Sequence, residues 1–344
     1  MPTVLPPNVY LFPLSEFWWL YLSFTVFVLL LLLLDLGVFH REPRPVPFKE
    51  ATFWTIAWTV LAMAYNYGFY VFAQWSLPQQ EYLTTIPGFD PQLAAKRAGL
   101  EFLTGYIIER ALSFDNIFIF VVVFRYFGVP MMYQHRVLFY GILGAFIFRA
   151  IFIAMGAILM RYQFVIIIFG VFLIYTGLKM LKKPDEEVHP DRNWILNQFK
   201  KWMPVTTESH GPRFFIRREG IRVATPLFIA LLSLETTDIV FAIDSVPAIF
   251  AVTKEPLIVF TSNIFAILGL RAMYFLLTSA IEMFHYLNYG LALVLVFVGL
   301  KMVWLNQAFE GHFPITWSLG IICGLLAVSI AASLLFPKKI EVRE

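Results

Sequence analysis

The chain has 344 residues, 59% hydrophobic and 14% charged, with a formal net charge of +3. A soluble domain carries about 25% charged residues, so this composition excludes an ordinary soluble domain and points to lipid as the solvent. The single cysteine, Cys323, excludes an internal disulfide framework and a cysteine-based metal site.

The opening stretch MPTVLPPNVYLFPLSEFWW has neither the basic n-region nor the small-residue cleavage site of a secretory signal, so the first helix is expected to stay in the protein. Apolar runs of about 18 residues, the length that spans a bilayer as a helix, then follow one another. They are predicted at 17–39, 52–76, 100–127, 137–160, 163–181, 225–251, 257–281, 287–305 and 314–336. The expected fold is all-α, a polytopic membrane protein of about nine transmembrane helices. Lys and Arg gather in alternate loops: Arg41, Arg44 and Lys49, then Arg125 and Arg136, then the segment 182–223, then Lys338, Lys339 and Arg343. That bias sets the N-terminus outside and the C-terminus in the cytoplasm.

Segment 182–223 is the one sizeable soluble piece. Asp191 is placed to cap a short helix through DRNWILNQFKKWM, stopped by Pro204, and FFIRREGIRV reads as a hairpin turning at Glu219-Gly220. Trp194, Phe199 and Trp202 beside Lys200 and Lys201 give that helix the character of one lying on the inner membrane surface, or of a loop with a partly buried face.

Two stretches resemble each other. Glu109 and Asp115-Asn116 are followed by Arg149 and GLKM at 177–180; Asp238 and Asp244-Ser245 are followed by Arg271 and GLKM at 299–302. The arginines and both GLKM stretches recur at a shift of 122 residues, the acid pairs at 129. Three spans per copy turn the second copy upside down, an inverted repeat of the kind transporters use, with the substrate at the repeat interface. The chain then divides into two peripheral spans (1–99), repeat 1 (100–181), a cytoplasmic loop with amphipathic helix and hairpin (182–223), repeat 2 (224–305), and a last helix with a basic tail (306–344).

The run ETTDIVFAIDSVPAIF puts Glu235, Asp238 and Asp244 in one span. Three lipid-facing acids would cost roughly 8–10 kcal/mol, so they face the bundle and need partners. Arg149 and Arg271 are the candidates for charge balance or gating, with Arg110 a third. Mutual neutralisation as structural glue is the alternative, but the acids Glu109, Asp115, Glu235, Asp238 and Asp244 outnumber the arginines, and the surplus calls for protons or a bound cation. Pro247 removes the donor for the carbonyl of Ile243 and is expected to unwind the helix beside Asp244. All six histidines fall at span ends or in loops. The metal site is therefore expected to be oxygen-rich: Glu109, Asp115, Glu235, Asp238 and Asp244 with Asn116, Ser245 and Asn263. Such a set suits Mn2+, Mg2+ or Ca2+.

ERALSFDNIFIF and SLETTDIVFAIDSVPAIFAVT, followed by TSNIFAILGLRAMYF, closely resemble the TerC family of membrane proteins, and within it the Alx-type manganese exporters of the bacterial inner membrane. The resemblance implies Mn2+ efflux, a link to tellurium resistance, a LysE-like fold of two three-helix repeats, and functional roles for Glu109, Asp115, Glu235, Asp238 and Asp244. It implies a transporter, not an enzyme, with no cofactor beyond the transported ion. Partners are then a divalent cation, protons as a coupling ion, and the bilayer, with no nucleic acid. A scaffold or assembly factor for membrane proteins is the alternative reading. An intramembrane aspartyl or serine hydrolase lacks its Gly-x-Gly-Asp or Gly-x-Ser-Gly motif here. An amino-acid exporter would need a spare cation for the substrate carboxylate.

Overall fold

The computed structural model describes residues 9–34, 46–182, 198–199, 201–206, 208, 210–218, 220–278, 286–309 and 313–336, without the side chains of Asp115 and Phe118. In chain order the long helices are α1 (Leu14–Leu34), α2 (Phe48–Ser76), α3 (Pro91–Tyr126), α4 (Met131–Leu159) and α5 (Gln163–Lys182). The hairpin strands β1 (Phe215–Arg218) and β2 (Ile221–Ala224) follow. Next come α6 (Pro226–Phe250), α7 (Pro256–Leu268), α8 (Leu270–Leu277), α9 (Leu287–Leu300) and α10 (Ile315–Leu335). A π turn over Lys301–Leu305 carries α9 on to Ala308.

Counting α7 and α8 as one span, the described residues hold 8 helices long and apolar enough to cross a membrane. The remaining long helix, α3, has 36 residues, about 54 Å, and is kept off that count by its charges. It starts at Pro91, ahead of the predicted 100, because Asp90 caps it: its carboxylate accepts from the amides of Gln92 and Leu93 at 2.9 and 3.2 Å. Lys96, Arg97 and Glu101 hide those first turns from a hydropathy reading.

The core is made of α3 to α9. In it α3 packs on α7, α4 on α6, and α5 on α9, while α2 and α10 flank α3 from outside. Glycines set the closest approach, as small residues do between membrane helices. A Cβ on Gly299 would lie 2.6 Å from the carbonyl of Gly170, and one on Gly177 would lie 2.6 Å from the carbonyl of Ala292. Replace each residue by its counterpart 122 positions away, a separation that also joins Asn116 to Asp238, and one contact becomes the other.

Two sequence expectations need correction. Helix α6 runs unbroken through Pro247 in its last turn, so the proline removes one donor, the partner of the Ile243 carbonyl, without unwinding the helix. Arg110 does not join an acid among the described residues. Its Nη1 donates to the carbonyl of Ala266 at 3.0 Å, and its guanidinium fills the space a Cβ on Gly269 would need. The helix interruption therefore falls at Gly269, between α7 and α8.

The hairpin forms in the expected register, with Phe215 opposite Ala224 and Arg218 opposite Ile221, while Glu219 lies outside the described residues. Most of the short helix before it, residues 191–197, also lies outside them. Of its aromatics, Phe199 packs on Phe228 at 5.3 Å between ring centres, and Trp202 is 90% exposed.

Candidate ion-binding site

Four helices deliver four polar side chains to one point. Glu109 comes from α3, Arg149 from α4, Asp238 from α6 and Asn263 from α7, with exposures of 1%, 0%, 6% and 0%. Arg149 is bridged to Glu109 through Nη1. The same nitrogen donates to Oδ1 of Asn263 at 2.8 Å. Nη2 and Nε donate to the two oxygens of Asp238 at 3.2 and 3.5 Å. The Asn263 amide donates to the second Glu109 oxygen at 3.3 Å, and the Asn116 amide to Asp238 at 3.4 Å. A guanidinium is planar, permanently charged and fork-shaped, which suits it to hold two carboxylates at once. Two carboxylates against one guanidinium leave the cluster formally negative, and a buried charge needs full pairing to be tolerated.

Separate hollows adjoin this cluster. One is lined by Asp238, Glu235, Gly141, Leu138 and Leu270. The Glu235 carboxyl occupies the volume a side chain on Gly144 would take, and its Oε2 is buried with no hydrogen-bond partner. The other hollow is lined by Glu109, Arg149, Asn116, Asp244 and Ser245. There the Asp244 carboxylate accepts from Thr176 at 3.5 Å. Oδ1 of Asn116 is buried without a partner, and the Ser245 hydroxyl lies beside Glu109 outside hydrogen-bonding geometry. Unpaired buried oxygens are uncommon, and each calls for an explanation such as a bound ion.

Glu109, Asp238, Asn116 and Asn263 are thus gathered with Arg149, and Asp244 and Ser245 line the adjoining hollow. Glu235 faces the other hollow, and the side chain of Asp115 lies outside the described residues. Arg271 is buried in the first turn of α8. Among the described residues, no three or more His, Cys, Asp or Glu side chains are grouped closely enough to hold a metal by themselves.

Sequence reasoning missed a second buried polar group, at the end of the bundle away from the hairpin. Arg97 donates to Glu101 at 2.9 Å, and Thr253 donates to the other Glu101 oxygen at 2.5 Å. Glu255, at the N-cap of α7, accepts from the backbone amides of Leu11 and Phe12 at 2.8 and 3.4 Å. Burial pushes the Glu255 carboxyl up to about 8, against the lowering effect of the Leu11 amide. The i, i+4 spacing of Arg97 and Glu101 and the Glu255-Pro256 helix start were the available signals.

A bundle of long apolar helices closed around a charged centre defines a multi-pass integral membrane protein. Residues 94–341 match the model of the integral membrane protein TerC family, so the match begins within α3 and takes in the whole charged core; the chain belongs to that family. It is 46% identical over 317 residues to an uncharacterised membrane protein of Myxococcus xanthus, covering 92% of each chain. It is 40% identical over 309 residues to an Escherichia coli K12 protein whose provisional name is membrane-bound redox modulator Alx, covering 89% of this chain and 91% of the relative. A membrane protein of Rickettsia felis is 38% identical over 325 residues, 93% of this chain and 99% of its own. No solved structure matches the chain.

Proposed function

We propose that the chain is a carrier, not an enzyme, that exports a divalent cation, with Mn2+ as the cargo its family resemblance implies. The supporting observation is the Glu109–Arg149–Asp238–Asn263 cluster: acids from two halves of the chain meet in the bundle centre with one arginine too few. Glu109, Asp238 and Asn263 at the centre, with Asp244, Asn116 and Ser245 along the adjoining hollow, make a hard, oxygen-only path suited to Mn2+, Mg2+ or Ca2+. Asp115 and Glu235 are the further acids of the path.

The exchange of contacts at a 122-residue shift supports two inverted three-helix halves, α3–α5 and α6–α9. In that register Asp238 stands opposite Asn116, so the offset of 129 between the acidic motifs is a displacement of about two turns along one helix face. Rocking of one half against the other would then open the centre to each side in turn. The membrane is the bacterial inner membrane, with the N-terminus outside, by the placing of Lys and Arg. Protons arriving on carboxylates of the path that Arg149 does not hold at that step would help release the metal and drive the cycle. The redox title of the Alx relatives would reach this chain through the metal it moves, because the lone Cys323 can form no internal disulfide.

Purified protein in liposomes, with Mn2+ inside and a fluorescent chelator outside, tests the reading. Mn2+ movement is expected, and Asp244→Asn is expected to lose it while the protein still purifies as a single species. Wild-type protein that moves none of the three cations removes the proposal in favour of a scaffold.

A further inference from the structure

Arg149 does more than neutralise. Its guanidinium touches four oxygens, one from Glu109, two from Asp238 and one from Asn263, and every one of them sits on a different helix from its own. Four carboxylate and amide oxygens converging on one point are also the start of a coordination shell for a hard divalent cation. Cargo and guanidinium therefore compete for the same oxygens, and both cannot hold them together. The arginine has somewhere to go. It lines the hollow that holds the Asp244 carboxylate and the unpartnered oxygens of Asn116 and Ser245, all potential acceptors for its N–H groups.

We infer that Arg149 is a tethered counter-cation that trades places with the transported ion. This rests on the proposed transport function and deepens it. With cargo bound, Arg149 turns towards Asp244. With cargo gone, Arg149 returns to Glu109 and Asp238, so the cargo-free carrier buries no bare pair of carboxylates and can reorient. Net transport needs that return step; exchange of one ion for another across the membrane does not. Bare buried carboxylates from two halves would hold the cargo-free carrier on one side, while a loaded one still moves.

The test separates those two modes in proteoliposomes. Net efflux of Mn2+ into Mn2+-free buffer is compared with exchange of radiolabelled Mn2+ at equal concentrations on both sides. Arg149→Gln keeps donors of similar reach but no charge, and it is expected to lower the ratio of net flux to exchange by about tenfold. Arg149→Lys keeps the charge and is expected to hold that ratio within about twofold of wild type. A merely structural arginine would lower both modes together in both variants, and that result, or an unchanged ratio in Arg149→Gln, overturns the inference. Should Arg149→Gln fail to fold, wild type still decides. A tethered counter-cation predicts net efflux that Mn2+ on the far side does not accelerate, and strong acceleration sinks the idea. Wild type that moves Mn2+ in neither mode removes the transport function itself, and this inference with it.

Discussion

The helices that carry Arg149 and Arg271, 122 residues apart, are built differently. Helix α4, with Arg149, is continuous from Met131 to Leu159, and only 33% of its best spanning window is buried. The corresponding span, α7 with α8 and Arg271, is interrupted at Gly269 and is buried along its whole window. Gly269 corresponds, at the shift of 122, to Ile147, which is 51% exposed. Arg110, which wedges against Gly269, corresponds to the apolar Leu232. Helix α2 packs on α7 and α8, and Phe24 of α1 stacks against Phe260 and Phe265 of α7 at 5.6 and 5.5 Å. Helices α1 and α2 thus cover α7 and α8 and leave α4 more exposed. A recurring sequence pattern need not bring a recurring environment, because α1 and α2 cover the helices around Arg271 and not the one around Arg149. A break is tolerable where protein, not lipid, surrounds the freed backbone groups.

Substitutions can strike each side of this contrast. The largest effect is expected for Arg149→Leu, which should destabilise the fold by about 3–5 kcal/mol by stripping the shared cation from Glu109 and Asp238. Glu235→Leu, three residues from Asp238 and replacing an acid with an unpartnered oxygen, should cost little or raise stability. Thermal unfolding in detergent compares the two, and equal losses would deny Arg149 its special place. Next, Gly269→Leu forces a side chain into the Arg110 guanidinium and should cost about 1–3 kcal/mol, whereas Ile147→Leu on lipid-facing α4 should be neutral. Gly299→Ala drives a methyl against the Gly170 carbonyl between α5 and α9, which both halves share, at a cost of about 1 kcal/mol.

The smallest effect is one of pH. Glu255 stands at the N-cap position of α7, and no acid takes that place at the start of α4, where the N-cap position is Pro130. Its folded-state carboxyl is raised to about 8, so the folded form binds the proton more tightly than the unfolded one. The stability it lends is complete below the ordinary carboxyl range and fades as pH climbs through about 8. Melting temperature should therefore fall by a few degrees from pH 6 to pH 9, and Glu255→Gln should flatten that slope.

Much of this was legible in the chain. Apolar length placed most span ends to within a few residues, because lipid imposes a blunt length rule; the exceptions are the starts of α3, at Pro91 against the predicted 100, and of α4, at Met131 against the predicted 137. The pairing of mid-span acids with Arg149 followed from the cost of burying charge. The location of the helix break did not follow. Pro247 was the louder signal, but α6 passes through it for the loss of one backbone donor, while Gly269 in ILGLRA mattered because a guanidinium from another helix needed its space. Arg110 was assigned to an acid on the strength of adjacency, yet neighbours in sequence point about 100° apart around a helix. The Glu101 and Glu255 group joins α3, the α6–α7 turn and residues before α1, a meeting that no local pattern announces.

The clasp of Glu255 on Leu11 and Phe12 has a practical side. Phe12 is fully enclosed, with its ring 5.1 Å from that of Phe69. Tyr82 reaches over to donate to the Tyr10 carbonyl at 3.1 Å. A fusion tag or trimming enzyme acting just ahead of α1 would tug on the mouth of α7 itself. Handles for purification, fluorescent reporters and antibody epitopes should be kept clear of the residues just ahead of α1.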